Sequence, residues 1–183
     1  MFRADNIPPP PTSQELHIVF QQGQLVSDMR SPSACLIACT EVERGGWREV
    51  RRQFVGYWEE RPCYAVEIDP GEQPDPMQYQ RGNLYHILGR VDDQLFALAG
   101  RAQQLLDWER DHQFCGRCGA PMRADQQERA MRCDPCRSIN YPRIAPCVIV
   151  LITRGEELLL ARNANFPQPM YSTLAGFIEA GES

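Results

Sequence analysis

Two Cys-x-x-Cys pairs, Cys115-Gly-Arg-Cys118 and Cys133-Asp-Pro-Cys136, stand 14 residues apart in a chain of 183. They constrain the middle of the chain more than any other feature. Two thiolates three residues apart on a tight turn grip one face of a tetrahedral ion, and a second such turn, brought back by a hairpin, completes four sulfurs at about 2.3 Å. Gly119 lets the backbone turn after the first pair and aim amides at sulfur. Residues 120–132 are long enough for a two-stranded ribbon between the knuckles. The spacing therefore predicts a Zn²⁺ ribbon held by Cys115, Cys118, Cys133 and Cys136. Four Cys ligands leave no position open for water, so the metal is expected to be structural. A redox couple would need one pair, not two at this spacing. His112, close before Cys115, reads as a helix-end residue rather than a fifth ligand.

The other cysteines, Cys35, Cys39, Cys63 and Cys147, are scattered in apolar stretches, where free cysteine behaves as a small hydrophobe. Cys35 and Cys39 could form a second metal or redox pair, but no further ligand cluster lies near them. This usage fits a reducing compartment. The first residues hold no apolar signal segment, and no apolar run approaches the roughly 20 residues of a membrane span. A cytoplasmic protein without membrane association is expected. The net charge of -5 argues against a dedicated nucleic-acid binder. Residues 115–143 run against that average, with Arg117, Arg123, Arg129, Arg132, Arg137 and Arg143 facing only Asp125, Glu128 and Asp134. Such a module suits an anionic small molecule or one end of an RNA. A solvated face on a ribbon too small to bury charge explains it equally well.

Pro8 to Pro11 favour an extended arm, so residues 1–14 are expected to be poorly ordered. Residues 16–20 and 24–26 flank Gln22-Gly23 as a hairpin, residues 34–40 form an apolar run of strand length, residues 43–46 carry turn chemistry, and residues 64–68 read as another strand. A Pro-rich loop follows over residues 69–76. Leu95, Leu98, Ala102, Leu105, Leu106 and Trp108 then repeat at the spacing of one buried helical face over residues 92–112, with Asp92 or Asp93 as N-cap and Gly116 beyond the end. The continuous apolar run over residues 145–152, a turn at 154–156 and the return over 157–161 read as strands covered on both faces, with helices packed on them.

Leu174-Ala-Gly-Phe-Ile-Glu-Ala-Gly-Glu182 opens as a Nudix box does, with Gly176, five residues, then Glu182. Asn140-Tyr-Pro-Arg-Ile-Ala-Pro-Cys147 follows the ribbon, and the helix carrying Leu-Phe-Ala-Leu-Ala-Gly-Arg leads into Phe-Cys-Gly-x-Cys-Gly. Together these resemble the NADH pyrophosphatases of the Nudix superfamily, which also remove NAD caps from RNA. The resemblance covers residues 84–183 well and the first 80 by general layout. It implies an α+β fold. Residues 15–112 would form a degenerate Nudix-like α/β domain ending in a helix, residues 113–141 the zinc ribbon, and residues 142–183 the start of an α/β/α Nudix sandwich. In the family the box continues with Arg-Glu and a paired Glu-Glu on a helix, here expected to begin near Ser183. The chain is thus expected to stop inside the motif and to be inactive on its own.

The resemblance implies a hydrolase that splits NAD(H) into nicotinamide mononucleotide and AMP. The bridge carries two negative charges, so Mg²⁺ or Mn²⁺ must neutralise them before water attacks phosphorus. By resemblance, the Ala175 carbonyl is one ligand of that ion, and Glu182 assists metal binding or merely starts the helix. Phe177 would offer an aromatic face to the nicotinamide ring, opposite Tyr141 of a partner subunit in a homodimer, and Glu128 would contact the substrate from the ribbon. By residue type alone, Phe177 reads as core, Tyr141 as ribbon packing and Glu128 as a solvated hairpin charge. Two other functions stay open: a non-catalytic ribbon module that binds a partner, and a hydrolase for another nucleoside diphosphate derivative.

Overall fold

The computed structural model describes residues 1–31, 33–165 and 170–182. The chain divides into two compact units, Met1–Pro142 and Arg143–Ser183.

The first unit is organised around one mixed sheet. Its N-terminal strand β1 is Phe2–Ala4, and β2 (Leu16–Gln21) and β3 (Gln24–Asp28) form the expected hairpin. Gln22 and Gly23 both take positive φ, 51° and 75°. That combination matches the right-handed twist of the flanking strands. The stretch 34–40 departs from expectation. Only Ile37–Ala38, β4, pairs with β2, and helix α1 begins at once over Cys39–Gly45. Cys39 and Val42, three residues apart, are its buried positions, so the helical period takes over where the apolar run ends. Residues 43–45, expected as a turn, are its last turn, and Gly46 closes it in the left-handed region at φ 65°.

The central strands are β5 (Glu49–Trp58) and β6 (Arg61–Ile68), followed by β7 (Tyr79–Gly82). The sheet order is β1-β5-β6-β2-β3-β7, with β4 also on β2. β2 runs parallel to β6, Leu16 opposite Cys63 through Phe20 opposite Glu67. It is buried along its whole length. β5, the longest strand, was not legible as one. Irregularities between Glu49 and Arg51, and again between Phe54 and Gly56, break the alternation a strand would show. The second sits where β1 docks. Gly56 has φ 134°, and a Cβ there would land on the carbonyl oxygen of Arg3. Within the arm of residues 1–14, Phe2–Ala4 are strand-paired to an edge that glycine leaves open for them, Phe2 opposite Trp58 through Ala4 opposite Gly56.

Helix α2 spans Asp93–Asp111, with Asp92 as N-cap accepting from the Gln94 N–H at 2.8 Å and His112 at the C-cap. Leu95, Leu98, Ala99, Ala102, Leu105 and Leu106 press on one sheet face against Leu16, Ile18, Phe20 and Val55. The opposite face packs Val19, Val26, Trp47, Phe54, Tyr64 and Val66. The ribbon follows, with strands β8 (Arg123–Ala124), β9 (Met131–Arg132) and β10 (Ile139–Asn140). β9 is central, so the ribbon has a third strand beyond the pair expected between the knuckles.

In the second unit β11 (Cys147–Val150) and β14 (Leu174–Phe177) pair antiparallel, as do β12 (Ile152–Arg154) and β13 (Glu157–Leu159) around the turn at Gly155. The strands are exposed rather than covered on both faces, and no helix packs on them among the described residues. The helix expected near Ser183 lies outside the described residues.

Candidate functional site

The two knuckles are built by the same main-chain device. Cys115 N–H donates to the Ala120 carbonyl at 2.8 Å and Cys133 N–H to the Ser138 carbonyl at 2.9 Å, each closing a tight loop on its pair. Gly119 turns the first loop at φ 71°. Its own N–H goes to the Cys115 carbonyl at 2.8 Å, while the N–H aimed at sulfur is that of Arg117, 3.4 Å from Cys115 Sγ. Arg137 holds the place of Gly119 in the second loop at φ 58°, a left-handed conformation that costs a non-glycine residue about 1–2 kcal/mol.

The four sulfurs converge. Cys115 Sγ lies 3.5 Å from Cys136 Sγ, Cys118 Sγ lies 3.4 Å from Cys133 Sγ, and all four fall within 4.8 Å of one another. A tetrahedral Zn²⁺ with bonds of about 2.3 Å sets its sulfurs roughly 3.8 Å apart, so the donor set fits the ion. Main-chain N–H groups of Arg117 and Cys118 hold the Cys115 thiol below its ordinary value, while the shared sulfur contacts raise that of Cys133, so without a metal one thiolate is favoured at the expense of its neighbour. Among the described residues this is the one group of three or more His, Cys, Asp or Glu side chains placed to hold a metal, so Cys35 and Cys39 form no second site there. Cys35, Cys39 and Cys63 are buried as expected, whereas Cys147 is exposed. Burial raises the Cys35 thiol to about 11 and that of Cys63 to about 12, which keeps both protonated.

The acidic side chains of the ribbon are internally paired. Arg123 grips Asp134 at 2.9 and 3.0 Å, and Arg132 bonds both Asp125 and Glu128, so all three acids of residues 115–143 have arginine partners. Four thiolates around one divalent ion add two negative charges that a count of acidic residues omits.

The structure brings Glu128 and Tyr141 together. Tyr141 donates its hydroxyl to Glu128 Oε2 at 3.0 Å, and Arg132 Nη2 holds Oε1 at 2.6 Å. The carboxylate is fixed from two sides, and the hydrogen bond it accepts raises the Tyr141 phenol above its ordinary value. Phe177, at the end of β14, exposes its ring rather than joining a core. Ala175 and Gly176 lie in the same strand, opposite Ile149 and Val148. Glu182 closes a turn: its N–H donates to the Glu179 carbonyl at 3.1 Å, and its Oε2 accepts from the Glu179 N–H at 2.8 Å. Gly181, at φ 94°, supplies the left-handed position that this turn requires.

One buried polar cluster had no signal in the sequence. His17 on β2 is 2% exposed, with Nε2 3.5 Å from Glu15 and Nδ1 3.6 Å from Glu49, outside hydrogen-bond geometry at both nitrogens. Arg52 on β5 bridges the same two carboxylates and lies over the Tyr64 ring at 4.0 Å. Burial first, then the Arg52 charge, hold His17 below its ordinary value and neutral. Residues from three separate stretches meet here, so no local spacing announces them.

A four-sulfur ribbon following a mixed sheet with one capping helix defines a zinc-ribbon α+β protein. Residues 14–108 match the model described as an NADH pyrophosphatase-like rudimentary NUDIX domain, and residues 110–141 match the NADH pyrophosphatase zinc ribbon domain. The chain belongs to the NADH pyrophosphatase-like NUDIX family. It is 44% identical over 131 residues to the NAD-capped RNA hydrolase NudC of Stutzerimonas stutzeri, an overlap of 72% of this chain and 47% of that protein. To the protein of the same name from Pseudomonas aeruginosa it is 43% identical over 129 residues, 70% and 46% of the two chains. The match thus spans about half the length of these relatives. No helix among the described residues is long and apolar enough to cross a membrane.

Proposed function

We propose that the whole protein hydrolyses the pyrophosphate bond of NAD(H), giving nicotinamide mononucleotide and AMP, and removes NAD caps from RNA, as a cytoplasmic homodimer. The observation that carries this reading is the joining of a family-type ribbon to the segment from Leu174 to Glu182, in which Gly176 sits in a strand that leads into the Glu179–Glu182 turn. The relatives named as NAD-capped RNA hydrolases support the substrate class.

The residues of this chain would bind and orient. Phe177 offers an exposed ring on which the nicotinamide can stack. Glu128, already aligned by Arg132 and Tyr141, offers a carboxylate acceptor to an N–H of the substrate. Tyr141, 47% exposed, is free to close over the base of a partner subunit's substrate without losing its hydroxyl bond.

The described residues do not make a complete Mg²⁺ or Mn²⁺ site. The carboxylates that follow Ala175 in the segment to Glu182 are Glu179 and Glu182, and the Glu182 carboxylate accepts the N–H of Glu179. Our reading assigns the remaining ligands to an Arg-Glu and Glu-Glu helix that would follow the turn, and it makes the 183-residue chain inactive by itself.

The test is liquid chromatography with mass spectrometry on the whole protein with NADH and added Mg²⁺ or Mn²⁺. Reduced nicotinamide mononucleotide and AMP are expected in equal amounts. Phe177→Ala is expected to raise KM more than it lowers kcat. NADH left intact while an unrelated nucleoside diphosphate derivative is cut would refute the substrate assignment. Metal-dependent cleavage by the 183-residue chain would refute the need for further carboxylates.

A further inference from the structure

A cleft of about 410 Å³ opens within the first unit, between the β5–β6 end of the sheet, the end of α2, the ribbon loop and the N-terminal segment. Its walls include Phe54, Tyr64 and Trp108, so it offers aromatic surface from both sheet and helix, and they also include the carboxylates Asp125 and Glu128, both paired with Arg132. Arg52 lies over Tyr64 from within the cluster it shares with Glu15 and Glu49. The second cation is placed differently. Arg129, in the ribbon loop, spends only Nη2 on the protein, donating to the Phe54 carbonyl at 2.6 Å and the Asp5 carbonyl at 2.9 Å. Among the described residues no carboxylate lies within ion-pair distance of it. Its charged neighbour is Arg101, whose guanidinium bonds the Val55 carbonyl and likewise has no carboxylate partner there. The two half-buried guanidinium groups have no close ion-pair partner among the described residues, and Asp5 offsets the Arg129 charge only from a distance. Burial first, then the Arg101 charge, bring Arg129 down to about 10 against the pull of Asp5, and an anion in the cleft would offset that repulsion. Trp108, 7% exposed, adds an unmet demand: its buried Nε1–H has no acceptor.

We propose that this cleft binds a nucleoside 5′-monophosphate, its phosphate on the unused nitrogens of Arg129 and its base against the Phe54, Tyr64 and Trp108 wall. Guanidinium forks match phosphate, and aromatic faces take a planar base. The volume lies at the small end of ligand sites, about 300–1,000 Å³, which suits a mononucleotide better than a dinucleotide. The cleft would bind without hydrolysing, and none of the named residues belongs to the Nudix-box segment.

Isothermal titration of the zinc-loaded 183-residue chain with AMP, adenosine and inorganic phosphate tests it. AMP is expected to bind at one site per chain, with adenosine and phosphate each weaker by about tenfold or more. Arg129→Gln is expected to weaken AMP by a similar factor. Because that change also cuts the ties to Asp5 and Phe54, Gln127→Glu serves as a second variant: it puts a negative charge on an exposed cleft residue, and it is expected to weaken AMP with the circular dichroism unchanged. Phe177→Ala is expected to leave AMP binding as it was. No heat with AMP, or binding indifferent to both cleft variants, would overturn the site. Loss of binding in Phe177→Ala alone would also overturn it, and would leave the hydrolase reading standing.

Discussion

Stripping zinc is expected to unfold the ribbon while the sheet domain stays folded. The contrast follows from where apolar surface is buried. Within residues 113–141 the buried side chains are Cys115, Ala130, Met131 and Cys133, so apart from the ligands themselves only one methionine and one alanine contribute. A fully buried methionine is worth about 1.5–3 kcal/mol and an extra methyl about 0.8 kcal/mol. A structural zinc contributes about 10–16 kcal/mol. The ion thus stabilises the ribbon at least about twice as much as both side chains together, and nothing else in the ribbon can replace it. The sheet domain, by contrast, has an apolar cluster on each face. Hydrogen exchange read by mass spectrometry, with and without chelator, separates the two. The amides of Cys115, Asp125 and Cys133, which bond within the ribbon, are expected to lose protection, whereas those of β2, β6 and α2 keep theirs. Cys133→Ser is expected to reproduce the chelator pattern. Ribbon amides that stay protected under both perturbations would refute the dependence on zinc.

Three further outcomes are expected. Leu98, fully buried in α2, is expected to cost about 2–5 kcal/mol as Leu98→Ala, read as a lower urea midpoint with the m-value unchanged. His17 is held neutral by burial, with its folded pKa below the ordinary 6.5. The unfolded chain therefore takes up its proton first, and the His17 contribution is complete above about 6.5 and declines as pH falls below it. The loss of urea stability between pH 7 and 5.5 is expected to be smaller in His17→Gln, with Glu15, Glu49, Arg52 and Tyr64 left in place around it. Gly56→Ala is expected to detach β1, because its Cβ would occupy the Arg3 carbonyl position, and limited proteolysis within the first fifteen residues reads this directly.

The legible parts of the fold were those fixed by local chemistry. Cysteine spacing marked the metal centre, Gln22-Gly23 marked the hairpin, and the apolar period from Leu95 with Asp92 before it marked α2 within a residue at each end. β5 escaped because its two irregularities scramble the alternation, and α1 escaped because a buried cysteine ends one apolar run and begins the next. β1 escaped for another reason: proline-rich sequence says nothing of an edge that a glycine forty-odd residues on leaves open. The same holds at the site. Glu128 and Tyr141 were each named by resemblance, but their hydrogen bond, and the hold of Arg132 on the shared carboxylate, came only from the ribbon's folding. Arg129 read as one surface charge among six, yet it spans the ribbon, the sheet and the N-terminal segment.

The most direct measurement is the fate of an RNA carrying a 5′-NAD cap when the zinc-loaded whole protein is added with Mg²⁺ or Mn²⁺. Cleavage within the cap's pyrophosphate is predicted to release nicotinamide mononucleotide and leave a 5′-monophosphate on the RNA. An intact cap under conditions where the ribbon is folded and the metal is present would contradict the assignment.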